Sequence, residues 1–272
     1  MNAVYFLKRA VKKMFSILGF DIVRKSELEM LRSAPPFTLL YGRLSLKKQM
    51  AISPYLPFSM SQQAQDLFVL SELHDCESAK FFVEFGATDG VSLSNSHLLE
   101  TKLGWDGILA EPATTWHERL ATSRKCKIDH RCVSGATGES VDFLEVLIDE
   151  KARASPELSG MREFADTGDW ASKIRLSHSR TYRVETVSLG DLLEFHNAPY
   201  EIGYLSLDTE GSELSTLSNY DFASHQIRVI TVEHNYRKDT REAILQLLTA
   251  AGYERKYPEI SQWDDWYVLK SL

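Results

Sequence analysis

Apolar runs separated by small-residue turns organise most of this chain. Phe81, Phe82, Val83 and Phe85, with only Glu84 among them, stop abruptly at Gly86-Ala-Thr-Asp-Gly90. Such a run suits a buried parallel strand over residues 80–85, and the turn that follows feeds a helix. That helix is expected to start at Ser92 or Ser94, to turn Leu98 and Leu99 inward and to stop at Gly104. Residues 105–111 then read as a short strand ending in Glu111, 21 residues after Gly90, which is the spacing of a βαβ unit.

The same reading continues towards the C-terminus. It predicts a helix over 114–122, a strand over 127–133, a hairpin-like segment over 140–146, a helix over 188–195 and core strands over 202–208 and 229–232. A helix over 241–251 stops at Gly252, and strands over 253–257 and 266–270 form an antiparallel pair. Residues 147–182 break the rhythm, being polar with little apolar periodicity. A structureless stretch of that length is usually a lid or a disordered loop, and a partly ordered lid over the acceptor is expected, with Trp170, His178, Arg180 and Tyr182 as contacts.

Ahead of the first strand, residues 61–73 read as a helix, and Ile52-Ser-Pro-Tyr-Leu-Pro-Phe58 as an extended lead-in fixed by its two prolines. Ser33-Ala-Pro-Pro-Phe37 reads as a linker. Further back, Val4, Leu7, Val11, Met14 or Phe15, and Leu18 recur at helical spacing, with Lys8, Arg9, Lys12 and Lys13 on the other side. Such a basic amphipathic helix over residues 1–20 either lies on an anionic inner membrane leaflet or packs on its own domain or on a second subunit of a homo-oligomer. It is too interrupted by charge to span a bilayer, and it lacks a cleavage site of the secretory kind.

Charge sharpens that division. Residues 1–60 carry ten Lys or Arg against Asp21, Glu27 and Glu29, a net +7, which leaves −14 for the remainder of a chain whose total is −7. The acidic remainder argues against nucleic acid as a partner, because backbone binding needs clustered Lys and Arg. With 272 residues and 43% hydrophobic content, one large core is the simplest division: residues 1–60 as helix and linker, 61–272 as one catalytic domain with 147–182 as its lid. Cys76, Cys126 and Cys132 form no Cys-x-x-Cys pair, so a reducing, cytoplasmic setting fits better than a disulfide framework or a zinc site.

The turn at 86–90 is not the dinucleotide fingerprint, because Gly-x-x-x-Gly stands where Gly-x-Gly-x-x-Gly is required. Glu84 and Asp89 flank it, and two carboxylates repel a pyrophosphate but suit a ligand bearing an ammonium and a sulfonium, as S-adenosylmethionine does. Gly86 and Gly90 let backbone approach such a ligand, and Glu111 at a strand end can accept from both ribose hydroxyls.

Four motifs in order, Val83-Glu-Phe-Gly-Ala-Thr-Asp-Gly-Val-Ser-Leu-Ser-Asn95, Leu109-Ala-Glu-Pro112, Leu205-Ser-Leu-Asp-Thr-Glu-Gly-Ser-Glu213 and Val232-Glu-His-Asn235, resemble the FkbM-type methyltransferase family. The resemblance runs from about residue 54 to the C-terminus. It implies an α/β, class I (Rossmann-like) fold, with a seven-stranded, mostly parallel sheet carrying helices on both faces, here with an N-terminal helical extension. It also implies S-adenosylmethionine-dependent transfer of a methyl group to a hydroxyl, often of a sugar, polysaccharide or glycosylated natural product. On that resemblance the cofactor would be held by Glu84, Gly86, Ala87, Asp89, Gly90, Asn95, Glu111, Pro112 and Asp208. Ser134 stands where such enzymes commonly contact adenine, or is an ordinary turn serine ahead of Gly135.

Asp208, Glu210 and Glu213 follow one strand, and Glu233, His234 and Asn235 end the next, so both clusters are expected to face one cleft. A hydroxyl needs either a general base or a divalent cation to attack at neutral pH. Asp208 and Glu233, with His234 or Asn235 beside the second, resemble the magnesium- or manganese-binding arrangement of small-molecule O-methyltransferases; alternatively Glu210 or His234 is a metal-free base, while Glu213 caps or solvates the helix beginning there. Trp263 and Trp266 either stack on a sugar face or pack a hairpin edge. The alternative to an enzyme is a nucleoside-binding scaffold that keeps the fold without catalysis.

Overall fold

The computed structural model describes residues 36–166 and 170–270; the basic helix expected over 1–20 and most of the linker lie outside them. The described chain opens with helices α1 (Pro36–Arg43) and α2 (Leu46–Ile52), a 3₁₀ turn (Ser53–Phe58) and α3 (Gln65–Leu73). It continues through β1 (Phe81–Phe85), α4 (His97–Leu103), β2 (Asp106–Ala110), α5 (His117–Ser123), β3 (Lys127–Asp129), β4 (Cys132–Ser134) and β5 (Ser140–Val146). Then come β6 (Gly160–Met161), α6 (Trp170–Ser177), β7 (Ser179–Ser188), α7 (Leu189–Phe195), β8 (Glu201–Leu207) and α8 (Glu213–Ser218). Strand β9 (Gln226–Glu233), α9 (Lys238–Ala250), β10 (Tyr253–Lys256) and β11 (Asp264–Leu269) complete it.

The main sheet has seven strands in the order β10-β11-β9-β8-β1-β2-β3. Strands β3, β2, β1, β8 and β9 are parallel neighbours, whereas β11 runs antiparallel to β9 and β10 antiparallel to β11. The sheet is therefore mixed, not mostly parallel as expected. Every position of β1 is buried, because helices cover both faces. Phe81, Val83 and Phe85 pack with Leu192, Leu217 and Leu248 of α7, α8 and α9, while Phe82 packs with Leu40, Phe68, Leu98 and Trp266 on the opposite face.

Three local expectations change. Residues 36–58 are neither linker nor extended lead-in: Leu40, Leu44 and Ile52 are core residues, and Pro54 starts the 3₁₀ turn, where its fixed φ and missing N–H cost nothing. The strand expected over 127–133 is two strands in two sheets. The Asp129 carboxylate accepts from the Arg131 N–H at 3.0 Å, a side-chain-closed turn that ends β3 and redirects the chain into β4. Finally, 147–182 is not structureless. Together with the segment before it, it builds a second sheet, β4-β7-β5-β6, in which β5 and β7 pair from Ser140↔Glu185 to Val146↔Ser179.

No described helix is long and apolar enough to cross a membrane.

Candidate active site

A cleft opens at the carboxyl ends of β1, β2 and β8, where parallel strands leave their ends free of crossing chain. Its walls come from the β1 turn, the Glu111-Pro112 corner, the residues after β8, and the edge of the second sheet through Phe143, Ser159 and Met161.

Glu111 stands at the end of β2, 4% exposed, with Oε2 accepting from the Thr88 N–H and Oε1 from the Ala113 N–H, both at 2.8 Å. Burial pushes its carboxyl up to about 7, against those two hydrogen bonds. Asn95 lines the same cleft and is 7% exposed; its Nδ2 donates to Ser206 Oγ at 2.9 Å, while its buried Oδ1 has no hydrogen-bond partner. A buried amide oxygen without a donor is costly, and a ligand N–H or O–H would satisfy it.

The other turn residues split between ligand side and scaffold. Gly86 lines the cleft at φ +73°, and a Cβ there would lie 2.1 Å from the Asp208 carbonyl oxygen, so close approach to its own chain also demands glycine. Gly90 does not line the cleft; it lets Arg124 and Leu120 pack against the turn, where a Cβ would sit 2.6 and 2.7 Å from their side chains. Ala87 is buried beneath the loop. Glu84 borders the cleft, but its carboxylate accepts from Asn95 N–H at 2.7 Å, Ser94 Oγ at 3.0 Å and Ser96 Oγ, and so holds the 94–96 corner in place. Ser94 Oγ in turn accepts from the His97 N–H at 3.1 Å, so the serine read as a cap serves a helix that starts three residues later. Asp89 is committed to its own turn. Although its burial acts the other way, the Val91 and Ser92 N–H groups and the Ser92 hydroxyl hold its pKa low, and Arg119 lies 3.1 Å away. Pro112 lines the cleft; Ser134, the last residue of β4, does not, and Arg131, Cys132 and Val133 line it instead.

The floor is acidic. Asp208 follows β8, and its carboxyl is raised by burial first and by the Asp264 charge second, with a hydrogen bond to Glu233 opposing them. Glu233, at the end of β9, does not line the cleft but lies behind Asp208; it is raised well above the usual range by burial and by Asp208, and its Oε2 accepts from Asn235 Nδ2 at 2.8 Å. The two carboxyls share a proton more readily than they ionise together. Asp264 opens β11, directly opposite Glu233 in the register; burial pushes it up to about 7, and its Oδ2 accepts from Gln65 Nε2 at 2.6 Å.

The remaining chemical candidates are placed otherwise. Glu210 lines the cleft in a left-handed conformation (φ +59°), but its Oε2 accepts from buried Arg175 at 3.0 and 3.3 Å. His234 is outside this cleft: its Nδ1 accepts from the Tyr236 N–H at 3.0 Å and its Nε2 faces Asp265 at 3.9 Å. Burial lowers its pKa, with Asp265 acting the other way. Asp208, Glu233 and His234 therefore do not converge as a metal-ligand set. Among the described residues no three His, Cys, Asp or Glu side chains group to hold an ion. Glu213 holds the turn ahead of its helix and makes no cap to the helix itself, its Oε1 accepting from the Thr209 and Gly211 N–H groups at 2.8 and 3.1 Å.

Arg180 and Tyr182 do not line the cleft; Arg180 donates to Glu145, and the Tyr182 hydroxyl lies 2.6 Å from Glu145 Oε2 and 3.1 Å from Pro112 O, sharing its one hydrogen between them, which ties the second sheet to the corner after β2. His178 lies outside the cleft as well, its Nδ1 2.7 Å from Ser177 Oγ. Trp266 is a packing residue stacked on Phe68 at 4.7 Å, whereas Trp263 lines the cleft. Sequence reasoning missed Gln65 and Asp264. An acidic pair ahead of the last strand was visible, but not that this strand runs antiparallel to β9 and so brings Asp264 to the same end of the sheet as Asp208.

The model of the methyltransferase FkbM domain matches residues 84–255. The crystal structure of methyltransferase FkbM from Methylobacillus flagellatus KT is similar at 14% identity and a TM-score of 0.41, over 88% of this chain and 60% of that one. This chain thus spans about three-fifths of that relative's length. No curated protein matches. With its four motifs, all but Val83, inside a matched span that takes in β2 to β9, this chain belongs to the FkbM methyltransferase family.

Proposed function

We propose that this protein transfers a methyl group from S-adenosylmethionine to a hydroxyl of a sugar, polysaccharide or glycosylated natural product. The observation that carries this reading is the pairing, in one cleft, of Glu111 at the end of β2 with the unpartnered Asn95 Oδ1 and with Asp208 at the end of β8. The first two offer acceptors to a ligand rich in N–H and O–H groups, and the third offers a proton acceptor. These residues fit the donor.

Bound S-adenosylmethionine would supply a sulfonium methyl carbon for attack by an oxygen nucleophile, with the C–S bond breaking and S-adenosylhomocysteine as the leaving group. Glu111 binds the ribose hydroxyls with the lone pairs left over by Thr88 and Ala113. Asp208, held against Glu233 and Asp264, has the raised proton affinity of a group that removes a hydroxyl proton near neutral pH. Positioning does much of the remaining work, by holding the acceptor hydroxyl near its base.

The acceptor is uncharged or cationic on this reading. Glu157, Asp208, Glu210 and Asp264 line the cleft against Arg131 alone among Lys and Arg, and Arg131 is paired with Asp129 at 2.9 and 2.6 Å. An anionic acceptor meets repulsion there that a neutral sugar does not. A cytoplasmic setting, with residues 1–20 touching the inner membrane, completes the proposal.

Calorimetric titration with S-adenosylmethionine and S-adenosylhomocysteine tests the donor, and transfer of labelled methyl to neutral glycosides tests the reaction. Binding without transfer to any acceptor would favour the nucleoside-binding scaffold; absence of binding would reject both.

A further inference from the structure

Behind Glu111, on the side away from the cleft, two imidazoles converge on one atom. His117 Nε2, at the start of α5, lies 3.1 Å from the Glu111 carbonyl oxygen, and His130 Nδ1, in the turn between β3 and β4, lies 3.3 Å from the same oxygen. Their rings stack with centroids 3.7 Å apart and planes 26° from parallel. A carbonyl oxygen can only accept, so both nitrogens carry hydrogen, and the tautomers of the two rings are fixed by a single backbone atom.

Each polar group of Glu111 then has a protein partner, with carboxylate lone pairs left for a ligand. Its N–H donates to Asp129 O at 2.9 Å, its carbonyl takes both imidazoles, and its carboxylate takes the Thr88 and Ala113 N–H groups. Fixing a strand-end residue this completely is more than β2 requires, since the ladder with β1 ends one residue earlier at Ala110.

We propose that the stacked His117 and His130 are positioning residues that aim the Glu111 carboxylate at the ribose of the methyl donor. This rests on the ribose role of Glu111 proposed above. The physical gain is preorganisation: a carboxylate whose backbone cannot swing loses little freedom when the nucleoside binds. Neither histidine lines the cleft, so they act on the donor through the residues they hold, Glu111 first among them.

The test is S-adenosylhomocysteine affinity by calorimetry, on the full chain. Losing one donor to the carbonyl in His117→Leu or His130→Leu should weaken binding about three- to tenfold. His117→Gln and His130→Asn, whose side-chain amides can replace Nε2–H and Nδ1–H, should restore it to within about twofold, on the same hydrogen-bond arithmetic. In a Glu111→Ala background the leucine substitutions should cost nothing further, because coupled residues are not additive. Should His117→Leu fail to fold, His117→Asn, too short to reach the carbonyl, takes its place.

Unchanged affinity in the leucine variants overturns the proposal, and so does an undiminished loss in the Glu111→Ala background, the signature of a merely structural role. In both cases a weakened Glu111→Ala single variant leaves the donor reading standing. If Glu111→Ala binds like the parent, or the parent does not bind at all, the ribose reading fails first and takes this inference with it.

Discussion

Gln65 and Asp264, 199 residues apart in sequence, are joined by a 2.6 Å hydrogen bond from amide Nε2 to carboxylate Oδ2 at the cleft wall. That bond ties α3, which precedes β1, to β11, the last strand of the chain, and it sets Asp264 beside the carboxyls of Asp208 and Glu233.

Asp264 gives a stability prediction with a definite sign. Its folded carboxyl is pushed by burial from the ordinary 3.8 to about 7, so between those values the folded chain holds a proton that the unfolded chain has released. Stability contributed by this group is therefore present at low pH and lost as pH rises through that window. Asp264→Asn should raise the melting temperature at pH 8 relative to the parent and do so much less at pH 4, with about 4 kcal/mol as an upper bound. Equal shifts at both pH values would contradict the burial of its charge.

Glu111 carries the same sign, being raised to about 7 by burial, but it is expected to serve binding. Glu111→Gln removes the buried charge but turns an NH2 towards one of the two backbone N–H groups, so it should not stabilise the ligand-free protein above pH 7, and it should weaken S-adenosylhomocysteine by about ten- to a hundredfold, the range for a hydrogen bond to a charged group. Thermal melts at pH 8 and calorimetry on one preparation check both halves.

Asp208→Asn should lower methyl transfer by about 10²- to 10⁴-fold, the usual worth of a general base, with a much smaller change in donor affinity. For the parent, kcat/KM should rise with pH through the ionisation of the Asp208 and Glu233 pair, whose proton affinity burial raises. Loss of that rise in Asp208→Asn is the measurement that assigns it.

Chelation should leave turnover unchanged. His234 is turned towards Asp265 and not towards Asp208 and Glu233, and no other trio of metal-ligating side chains assembles among the described residues. Activity lost to a chelator and restored by magnesium or manganese would require a different arrangement of these side chains.

Two glycines with similar backbone angles should respond differently to alanine. At Gly104 (φ +67°) a Cβ would meet nothing within 4 Å, so Gly104→Ala should cost only the left-handed strain of about 1–2 kcal/mol. At Gly86 (φ +73°) the Cβ would fall 2.1 Å from a backbone carbonyl, and Gly86→Ala should cost roughly twice as much or more, and should disturb Asp208. Denaturant titration of both variants measures the difference.

Local pattern alone determined much of this protein. The apolar run ending in a glycine turn marked β1, the spacing to Glu111 marked β2, and Gly104, Ser188 and Gly252 marked helix ends, because burial periodicity and capping act over a few residues. Only the tertiary structure decided the rest. The split at Asp129, the second sheet built from an apparently patternless stretch, and the reversed β11 that delivers Asp264 all depend on which distant strand offers backbone partners. So does the fate of each polar side chain. Glu84 and Asp89 looked like ligand carboxylates, yet nearby N–H and hydroxyl donors claim them, while Asn95 and Glu111 keep acceptors open to the cleft. A side chain's type fixes what it can bond to, but only the packed chain fixes which partners lie within 3 Å of it.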